Sequence, residues 1–272
     1  MKIEFAKVQA SGNDFIILDN RGKRLEEKIG DLGEFSRFAT RRKFSVGADG
    51  VLVLEDSERA DFKMRIFNPD GSEVSMCGNG IRSSALYAYV KKWCGPAMKI
   101  ETLAGILEAA MKDDAATVKM TPPRNIRLKQ NIGIGNTFMD VHSVDTGVPH
   151  AVHFVESLTN YPIKEIGRKV RSHRLFEPDG TNVDFVEVID NSTISVRTYE
   201  RGVEDETLAC GTGVVASAII SHLVRGTKQP VSATTSGEDI LRIHFHREIN
   251  IFKDVTLEGK AHVVFEGSLD YV

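Results

Sequence analysis

The stretch SMCGNGIRSSALYAYV, residues 75–90, places a cysteine and two glycines directly ahead of a helical pattern of apolar and small residues. A second stretch, LACGTGVVASAIISHLV at 208–224, repeats that arrangement late in the chain. This spacing predicts buried helices over 79–92 and 212–224. Each helix would begin directly after a cysteine.

A cysteine at that point has a distinctive environment. The unpaired N–H groups and the positive end of the helix dipole favour negative charge, so the position is expected to lower the pKa of the Cys77 and Cys210 thiols. The glycines allow close backbone approach, and the free N–H groups can hold a carboxylate. If two such halves face each other, one sulfur can remove a proton from one side of a carbon while the other replaces it from the opposite side.

Landmarks around the two cysteines recur at similar offsets. Gly12 precedes Cys77 by nearly as many residues as Gly147 precedes Cys210, and the same holds for Gly50 and Asn182. The motifs TLAG and TTSG follow the two cysteines at nearly equal distances. Three landmarks in register indicate an internal repeat. The chain is therefore expected to contain two structurally similar halves, each of ordinary domain size.

Short strands surround one central helix in each half. Apolar or alternating runs bounded by Gly, Asn, Asp or Pro predict strands at FIILD, GVLVLE, FKMRIF and ILEAAM, and again at AVHFV, VDFVEVI, ISVRTY and ILRIHF. The prolines of TPPRN predict a break, and AHVVFEGSLDYV is expected to return as a strand to the first half. We predict an N-terminal half of 1–121 plus 260–272 that carries Cys77, and a C-terminal half of 122–259 that carries Cys210.

Composition narrows the function classes. The chain has 272 residues, of which 41% are hydrophobic and 27% charged, as in a globular protein. A net charge of −3 argues against nucleic-acid binding. We expect no signal peptide and no membrane span, and hence a cytoplasmic location. Three cysteines without a CxxC pair support neither a disulfide framework nor a metal site, and Cys94 is interpreted as a small hydrophobic residue.

Eight short motifs follow one another along nearly the whole chain: SGNDF (11–15), GADG (47–50), FNPDGSE (67–73), MCGNG (76–80), TGVPH (146–150), GTNVDF (180–185), YERG (199–202) and LACGTG (208–213). Together they resemble the diaminopimelate epimerases, the cofactor-independent racemases of the lysine and peptidoglycan pathways. The related proline racemases carry histidine where Asn79 stands. The resemblance implies an α+β fold of two pseudo-symmetric domains, each a strongly curved, mostly antiparallel sheet wrapped around a central helix.

The resemblance also implies a function. It predicts an isomerase that epimerises LL-2,6-diaminopimelate to meso-diaminopimelate without a cofactor or a metal, with Cys77 and Cys210 as the acid and base. The small-molecule substrate would be the ligand, with no nucleic acid or membrane, and the enzyme would be a homodimer. The implied tuners of thiol ionisation are His150 and Glu200. The implied substrate-binding residues are Asn13, Asn68, Gly78, Asn79, Asn182, Glu200, Arg201, Gly211 and Thr212.

Several of these residues have other interpretations. Asn13 and Asn68 lie in turn-like sequences that favour asparagine for local reasons. Arg201 beside Glu200 is also typical of a surface ion pair. His150 fits a half-buried structural histidine, and the glycines after Cys210 fit packing at a helix entry.

Alternative functions stay open at this stage. Another amino-acid racemase of the same fold, acting on proline or hydroxyproline, would keep both cysteines. A non-enzymatic binding protein would need no pair of reactive thiols. A thiol–disulfide oxidoreductase would usually carry CxxC.

Three positions depart from the family pattern. Some members carry glutamine where Gly50 stands and asparagine where Val148 stands, which removes polar contacts to the substrate. The segment VEDETLA, residues 203–209, is acidic and one residue longer than the common version, so the sequence leaves the path of this loop open.

Overall fold

The protein is an α+β structure in which strands predominate, and the predicted fold class is confirmed. The computed structural model describes residues 1–23, 25–135, 137–249 and 251–271. Contacts divide the chain into two compact units, 1–118 with 259–272 and 119–258.

The first unit contains the following elements. Its strands are β1 (Lys2–Ala10), β2 (Asn13–Asp19), β3 (Gly50–Glu55), β4 (Phe62–Phe67), β5 (Glu73–Val74), β6 (Ala97–Thr102), β7 (Gly105–Lys112) and β8 (Ala115–Lys119). Its helices are α1 (Glu26–Ile29), α2 (Leu32–Ala39) and α3 (Gly78–Val90), with a 3-10 turn at Arg21–Lys23.

The second unit follows without interruption, and the chain then returns to the first. Its strands are β9 (Arg124–Ile134), β10 (Thr137–Asp145), β11 (Pro149–Phe154), β12 (Asn182–Val188), β13 (Thr193–Glu200), β14 (Asp205–Thr207), β15 (Val231–Thr234), β16 (Ile240–Glu248) and β17 (Ile251–Lys260). Its helices are α4 (Ile163–Arg171) and α5 (Gly211–Arg225), with a 3-10 turn at Arg174–Phe176. The final strand, β18 (His262–Asp270), belongs to the first unit.

The strand pairing of the two units is the same. In the first unit, β1 pairs antiparallel with both β18 and β2, and β2 pairs parallel with β3. Strand β4 pairs antiparallel with β3 and β5 and parallel with β6. Strands β6, β7 and β8 then pair antiparallel in sequence. In the second unit, β9 to β17 repeat this order, with parallel pairs only at β11–β12 and β13–β15 among the described residues. The predicted internal repeat is therefore confirmed.

One helix is central to each unit. Helix α3 packs against β1, β2, β3, β4, β7 and β18, and α5 packs against β10, β11, β12, β13, β15 and β16. Small residues such as Ala, Ser and Gly let the surrounding strands approach closely, and both helices are buried on nearly all sides. A helix enclosed in this way requires a curved sheet.

A second helix covers the outer face of each sheet. In the first unit, Leu32, Phe35 and Ala39 of α2 join an apolar cluster with residues of β1, β2 and β3. In the second, Ile163 and Val170 of α4 join the corresponding cluster. These contacts leave the inner face of each sheet to the central helix.

The predicted elements are present with small shifts. The eight predicted strands correspond to β2, β3, β4, β7, β11, β12, β13 and β16, although AVHFV and VDFVEVI each extend one residue past the end of the observed strand. The returning strand is β18, and Val272 lies outside the described residues. Helix α3 begins one residue earlier than predicted and ends at Val90, because the chain turns at Lys92, whose φ is 59°. The residues of the TPPRN motif that precede β9 lie between strands.

Candidate active site

Cys77 is the N-cap of α3. Its backbone is extended, with φ −147° and ψ 120°, and its carbonyl accepts the first intrahelical bond from the N–H of Ile81 at 2.9 Å. The side chain is half-buried. The N–H groups of Gly78 and Asn79 lie in the first turn, where they have no partner within the helix.

Asn79 is held by an arginine that the sequence analysis did not single out. Arg82 is fully buried, and its Nη2 donates to Oδ1 of Asn79 at 2.9 Å and to Oγ of Ser11 at 2.8 Å. The arginine thus ties the first turn of α3 to the turn between β1 and β2. Asn79 therefore has a structural contact in addition to its predicted role.

Asn13 and Asn68 occupy different environments in the first unit. Asn13 begins β2, and its side-chain Oδ1 is a buried atom without a hydrogen-bond partner among the described residues. Asn68 follows β4 in a turn, where its Nδ2 donates to Oγ of Ser72 at 3.1 Å. Local turn bonding thus accounts for the amide nitrogen of Asn68, whereas no such bond accounts for the Asn13 oxygen among the described residues.

Cys210 is the N-cap of α5, the position equivalent to Cys77. Its backbone is extended, with φ −116° and ψ 110°, and its carbonyl accepts from the N–H of Val214 at 2.9 Å. The side chain is buried, and Sγ lies 3.4 Å from Oγ1 of Thr212. Both predicted helix N-termini are therefore confirmed as the places where the two cysteines lie.

The expectation of a lowered thiol pKa is wrong for Cys210. Burial raises the pKa of this thiol well above its usual range, and the negative charges of Glu200 and Asp184 add to the rise. Hydrogen bonding by Thr212 and by the Gly213 backbone opposes these effects without overcoming them. The dipole of a helix N-terminus is a smaller effect than loss of hydration beside two carboxyl groups.

His150 lies at the centre of a buried hydrogen-bond network. Its Nδ1 is 2.7 Å from Oδ2 of Asp184, and both side chains are fully buried. Its Nε2 is 3.0 Å from Oγ1 of Thr212, which in turn contacts the Cys210 sulfur. His150 is thus fully buried rather than half-buried, and Thr212 connects it to the thiol.

Strand register explains why these residues meet. The parallel β11–β12 pairing places His150 beside Asn182, and the next residue but one along β12 is Asp184. The antiparallel β12–β13 pairing then places Thr198 opposite Asp184, and Oγ1 of Thr198 donates to Oδ1 of the carboxylate at 2.7 Å. The acidic side chain is therefore contacted from both neighbouring strands.

Asn182 and Arg201 are also close to one another. The backbone N–H of Arg201 donates to Oδ1 of Asn182 at 2.8 Å, and Nδ2 of Asn182 lies 3.4 Å from Nε2 of His150. The Arg201 guanidinium is near two backbone carbonyls, those of Asp179 at 3.3 Å and Gly180 at 3.5 Å. These contacts do not include Glu200, so the proposed surface ion pair with Glu200 is not found among the described residues.

Glu200 ends β13 and is half-buried. Burial raises the pKa of its carboxyl group above the usual range; the charge of Asp184 adds to the rise, whereas a hydrogen bond with Thr207 opposes it. Glu200 in turn raises the pKa of the Cys210 thiol, and its role as a tuner of that thiol in catalysis stays a prediction.

The glycines after each cysteine differ in their surroundings. A Cβ at Gly78 would meet nothing within 4 Å, and one at Gly211 would make only an ordinary contact with Leu257 at 3.8 Å. A Cβ at Gly213, by contrast, would lie 2.3 Å from Oδ1 of Asp184. Gly213 is therefore a packing glycine, as one of the alternative interpretations held, while the glycine next to each cysteine leaves space.

The three departures from the family pattern now have a structural context. A Cβ at Gly50 would lie 2.9 Å from the carbonyl oxygen of Phe67, so the backbone here excludes a larger residue. Val148 is half-buried in the turn before β11. In the acidic loop, the N–H of Glu204 donates to the carbonyl of Glu200 at 2.8 Å, and the chain then pairs with β13 as β14.

In the part of the chain that the structure describes, no group of three or more His, Cys, Asp or Glu side chains is arranged to hold a metal ion. None of the helices there is long and apolar enough to cross a membrane.

Sequence reasoning missed Arg82, Ser11, Asp184 and Thr198. An arginine inside a helical pattern and an aspartate inside a strand both suggest solvent-exposed faces. Their sequence context was the available signal, because Arg82 lies among small and apolar residues and Asp184 interrupts an otherwise apolar strand.

Known proteins resemble this chain over nearly its full length. A family model described as diaminopimelate epimerase matches residues 5–126 and 142–262. A diaminopimelate epimerase of Aquifex aeolicus is 41% identical over 277 residues, covering 98% of each chain. That of Methanothrix thermoacetophila is 41% identical over 278 residues, covering 98% of this chain and 95% of the relative.

Solved structures share the fold at low identity. A phenazine biosynthesis protein of the PhzF family from Bacillus anthracis has a TM-score of 0.76 at 18% identity, covering 100% of both chains. A hydroxyproline epimerase from Agrobacterium vitis has a TM-score of 0.68 at 16% identity, covering 98% of this chain and 92% of the other.

Proposed function

Because this chain belongs to the diaminopimelate epimerase family, we propose that it epimerises LL-2,6-diaminopimelate to the meso form by a two-cysteine, two-base proton transfer. The family and its relatives support the isomerase activity and a place in lysine biosynthesis. The observation that carries the two-base route is that Cys77 and Cys210 cap equivalent helices in two equivalent units.

The reaction breaks one C–H bond and forms another. A thiolate takes the α-proton, and the electron pair stays on the α-carbon and its carboxylate. The opposite thiol donates its proton to the other face and becomes the new thiolate. One proton is taken up and one is released, so the inverted product leaves the two sulfurs with exchanged roles.

The carbanion is the difficult species in this route. An α-proton is weakly acidic, so the developing negative charge must meet preorganised dipoles. The first-turn N–H groups of Gly78, Asn79, Gly211 and Thr212 are suited to the carboxylate of the reacting centre. They are already oriented by the helices, so they need no reorganisation during the reaction.

The two thiols are assigned different resting states. Since burial and two carboxyl groups raise the pKa of Cys210, we assign the resting proton to Cys210 and the thiolate to Cys77. In the reaction direction that starts from this resting state, Cys77 is the base that takes the α-proton, and Cys210 is the acid that donates a proton to the opposite face.

The remaining polar residues are assigned to the substrate's other groups. The Asn13 oxygen, a buried acceptor without a partner among the described residues, suits an ammonium group. Arg201 suits the distal carboxylate, because a guanidinium binds a carboxylate through two parallel hydrogen bonds. Asn68, Asn182 and Glu200 complete the proposed set.

The cellular setting is also proposed. A low, odd number of cysteines suits a reducing compartment such as the cytoplasm. We further propose a homodimer, the commonest symmetric assembly, and treat 1–121 with 260–272 and 122–259 as two domains.

The reaction can be tested directly with purified protein and LL-diaminopimelate in deuterated water without an added cofactor. Deuterium at the α-carbon together with meso product is expected. L-proline and trans-4-hydroxy-L-proline serve as control substrates and should acquire no deuterium. Exchange into these two amino acids but not into diaminopimelate would overturn the proposed substrate.

A further inference from the structure

Asp184 has no place in the mechanism above, yet it is the fully buried acid beside the Cys210 network. Its Oδ1 accepts a hydrogen bond from Thr198 and its Oδ2 faces Nδ1 of His150, each at 2.7 Å. A carboxylate only accepts hydrogen bonds. The ring nitrogen that faces it is therefore the one that carries a proton.

The contacts at Nε2, on the other side of the His150 ring, independently indicate the same tautomer. The amide of Asn182 has a defined orientation, because its Oδ1 accepts the backbone N–H of Arg201 at 2.8 Å. Its Nδ2 then points a donor at Nε2 of His150, 3.4 Å away. An N–H that faces Nε2 is favourable only if this nitrogen carries a lone pair.

The Thr212 hydroxyl must then take a single direction. With a lone pair on Nε2 of His150, the hydroxyl donates to it across 3.0 Å. The hydroxyl oxygen is left as an acceptor for the Cys210 S–H, 3.4 Å away. Each proton in the series from Cys210 through Thr212 and His150 thus points towards Asp184.

We infer that Asp184 is a positioning residue: it holds His150 in the neutral form protonated at Nδ1, and thereby turns the Thr212 hydroxyl so that its oxygen accepts from the Cys210 thiol. This inference rests on the proposed function for its catalytic meaning, since it keeps Cys210 loaded as the acid. After Cys210 has given its proton to the substrate, rotation of one hydroxyl lets Thr212 donate to the thiolate. Asn182 then remains the donor to Nε2.

The charges around Cys210 also favour a protonated thiol. The carboxyl groups of Glu200 on β13 and Asp184 on β12 both raise the pKa of the thiol, after burial as the largest cause. His150 on β11 is the remaining titratable side chain of the network. Loss of the Asp184 charge is therefore expected to make the Cys210 thiolate easier to form.

The ring tautomer of His150 can be measured without turnover. Nitrogen-15 chemical shifts of the histidine rings distinguish Nδ1–H, Nε2–H and the imidazolium, with His150→Gln identifying the signals. In the wild-type protein at neutral pH we expect Nδ1–H. An Nε2–H ring or an imidazolium would overturn the inference, whether or not any variant folds.

A variant pair separates positioning from packing. Asp184→Leu is close in size but offers no acceptor, so an Nδ1–H ring would bury an unsatisfied donor. This cost is expected to outweigh the long 3.4 Å contact from Asn182, so the ring should shift to Nε2–H and reverse the Thr212 hydroxyl. In a Cys77→Ala, Cys94→Ala background, the ultraviolet absorbance of the Cys210 thiolate should then appear at a pH lower by roughly 1 unit. Thr198→Val removes the other contact of Asp184 and should leave the tautomer unchanged.

The outcomes separate this inference from the proposed function. An unchanged tautomer in Asp184→Leu, or the same change in Thr198→Val, would overturn the positioning role. Absence of deuterium exchange into diaminopimelate, with the tautomers as expected, would instead remove the proposed function alone.

Discussion

The N-termini of α3 and α5 share a backbone but differ in the charge buried beside them. In the first unit, Arg82 lies in the second turn after Cys77 and binds Asn79; at the equivalent position in the second unit stands Val215. In the second unit, the buried charged group is instead Asp184. A repeated fold has thus placed a cation beside one cysteine-capped helix and an anion beside the other, which gives two sulfurs in equivalent positions unlike surroundings.

Replacing either Cys77 or Cys210 is the strongest test of this difference. If the two thiols have separate roles, neither can substitute for the other, and Cys77→Ala and Cys210→Ala should each lower epimerisation by about 10²–10⁴-fold. The measurement is the rate of LL-to-meso conversion in both directions. Cys94→Ala, at a half-buried position, is the control and should retain nearly full activity. A Cys210→Ala protein that works at a near wild-type rate would rule out the two-base route.

Gly80 and Gly213 occupy equivalent positions in α3 and α5, and alanine variants of the two test how tightly each helix start is packed. A Cβ at Gly213 would lie 2.3 Å from the Asp184 carboxylate, whereas one at Gly80 would meet the flexible end of Leu52 at 3.2 Å. Gly213→Ala should lower the free energy of unfolding by about 1–3 kcal/mol. Gly80→Ala should change it by less than about 1 kcal/mol. Denaturant titration measures both, and equal losses would contradict the difference in packing.

The two arginines are expected to differ in what their replacement affects. Arg201→Lys should lower kcat/KM by about tenfold or more, chiefly through KM, because an ammonium cannot reproduce a two-pronged grip on a carboxylate. Its melting temperature should stay close to that of the wild type. Arg82→Lys is the matched variant: it should lower the melting temperature, because the buried bonds to Ser11 and Asn79 are lost. Unchanged kinetic constants for Arg201→Lys would remove Arg201 from the site.

The smallest expected effect is a pH dependence from Glu200. Its pKa is raised in the folded state, mainly by burial, so folding favours its protonated form. The wild type should therefore lose stability relative to Glu200→Gln as the pH rises from below 4.5, the ordinary pKa of the group, through the raised folded-state pKa. Denaturant titrations at several pH values measure the difference. The exposed Glu58→Gln is the control, and a pH-independent difference for Glu200→Gln would contradict the burial effect.

Much of the fold could be predicted because it depends on local patterns. Alternating or apolar runs identified eight strands, and a cysteine followed by glycines marked the start of each central helix. The direction in which the pKa of the Cys210 thiol shifts could not be predicted in this way. It depends first on burial of the thiol, and then on carboxyl groups from β12 and β13 that only strand register brings beside α5. For the same reason, Asp184 looks like an ordinary polar residue of a strand until its two neighbours are known.

Because β18 returns to pair with β1, the first unit is completed only after the second unit during synthesis. Residues 119–258 form one unit from a continuous segment, but β1 has its outer partner only when 262–270 have been made. At about 5–20 residues per second, the intervening chain takes on the order of 10–50 s to translate. During that time the outer edge of β1 lacks its final partner, and the second unit, although later in the chain, is the first whose residues are complete. The nascent chain therefore finishes its halves in the reverse of their order in the sequence, with an open strand edge that chaperones can bind.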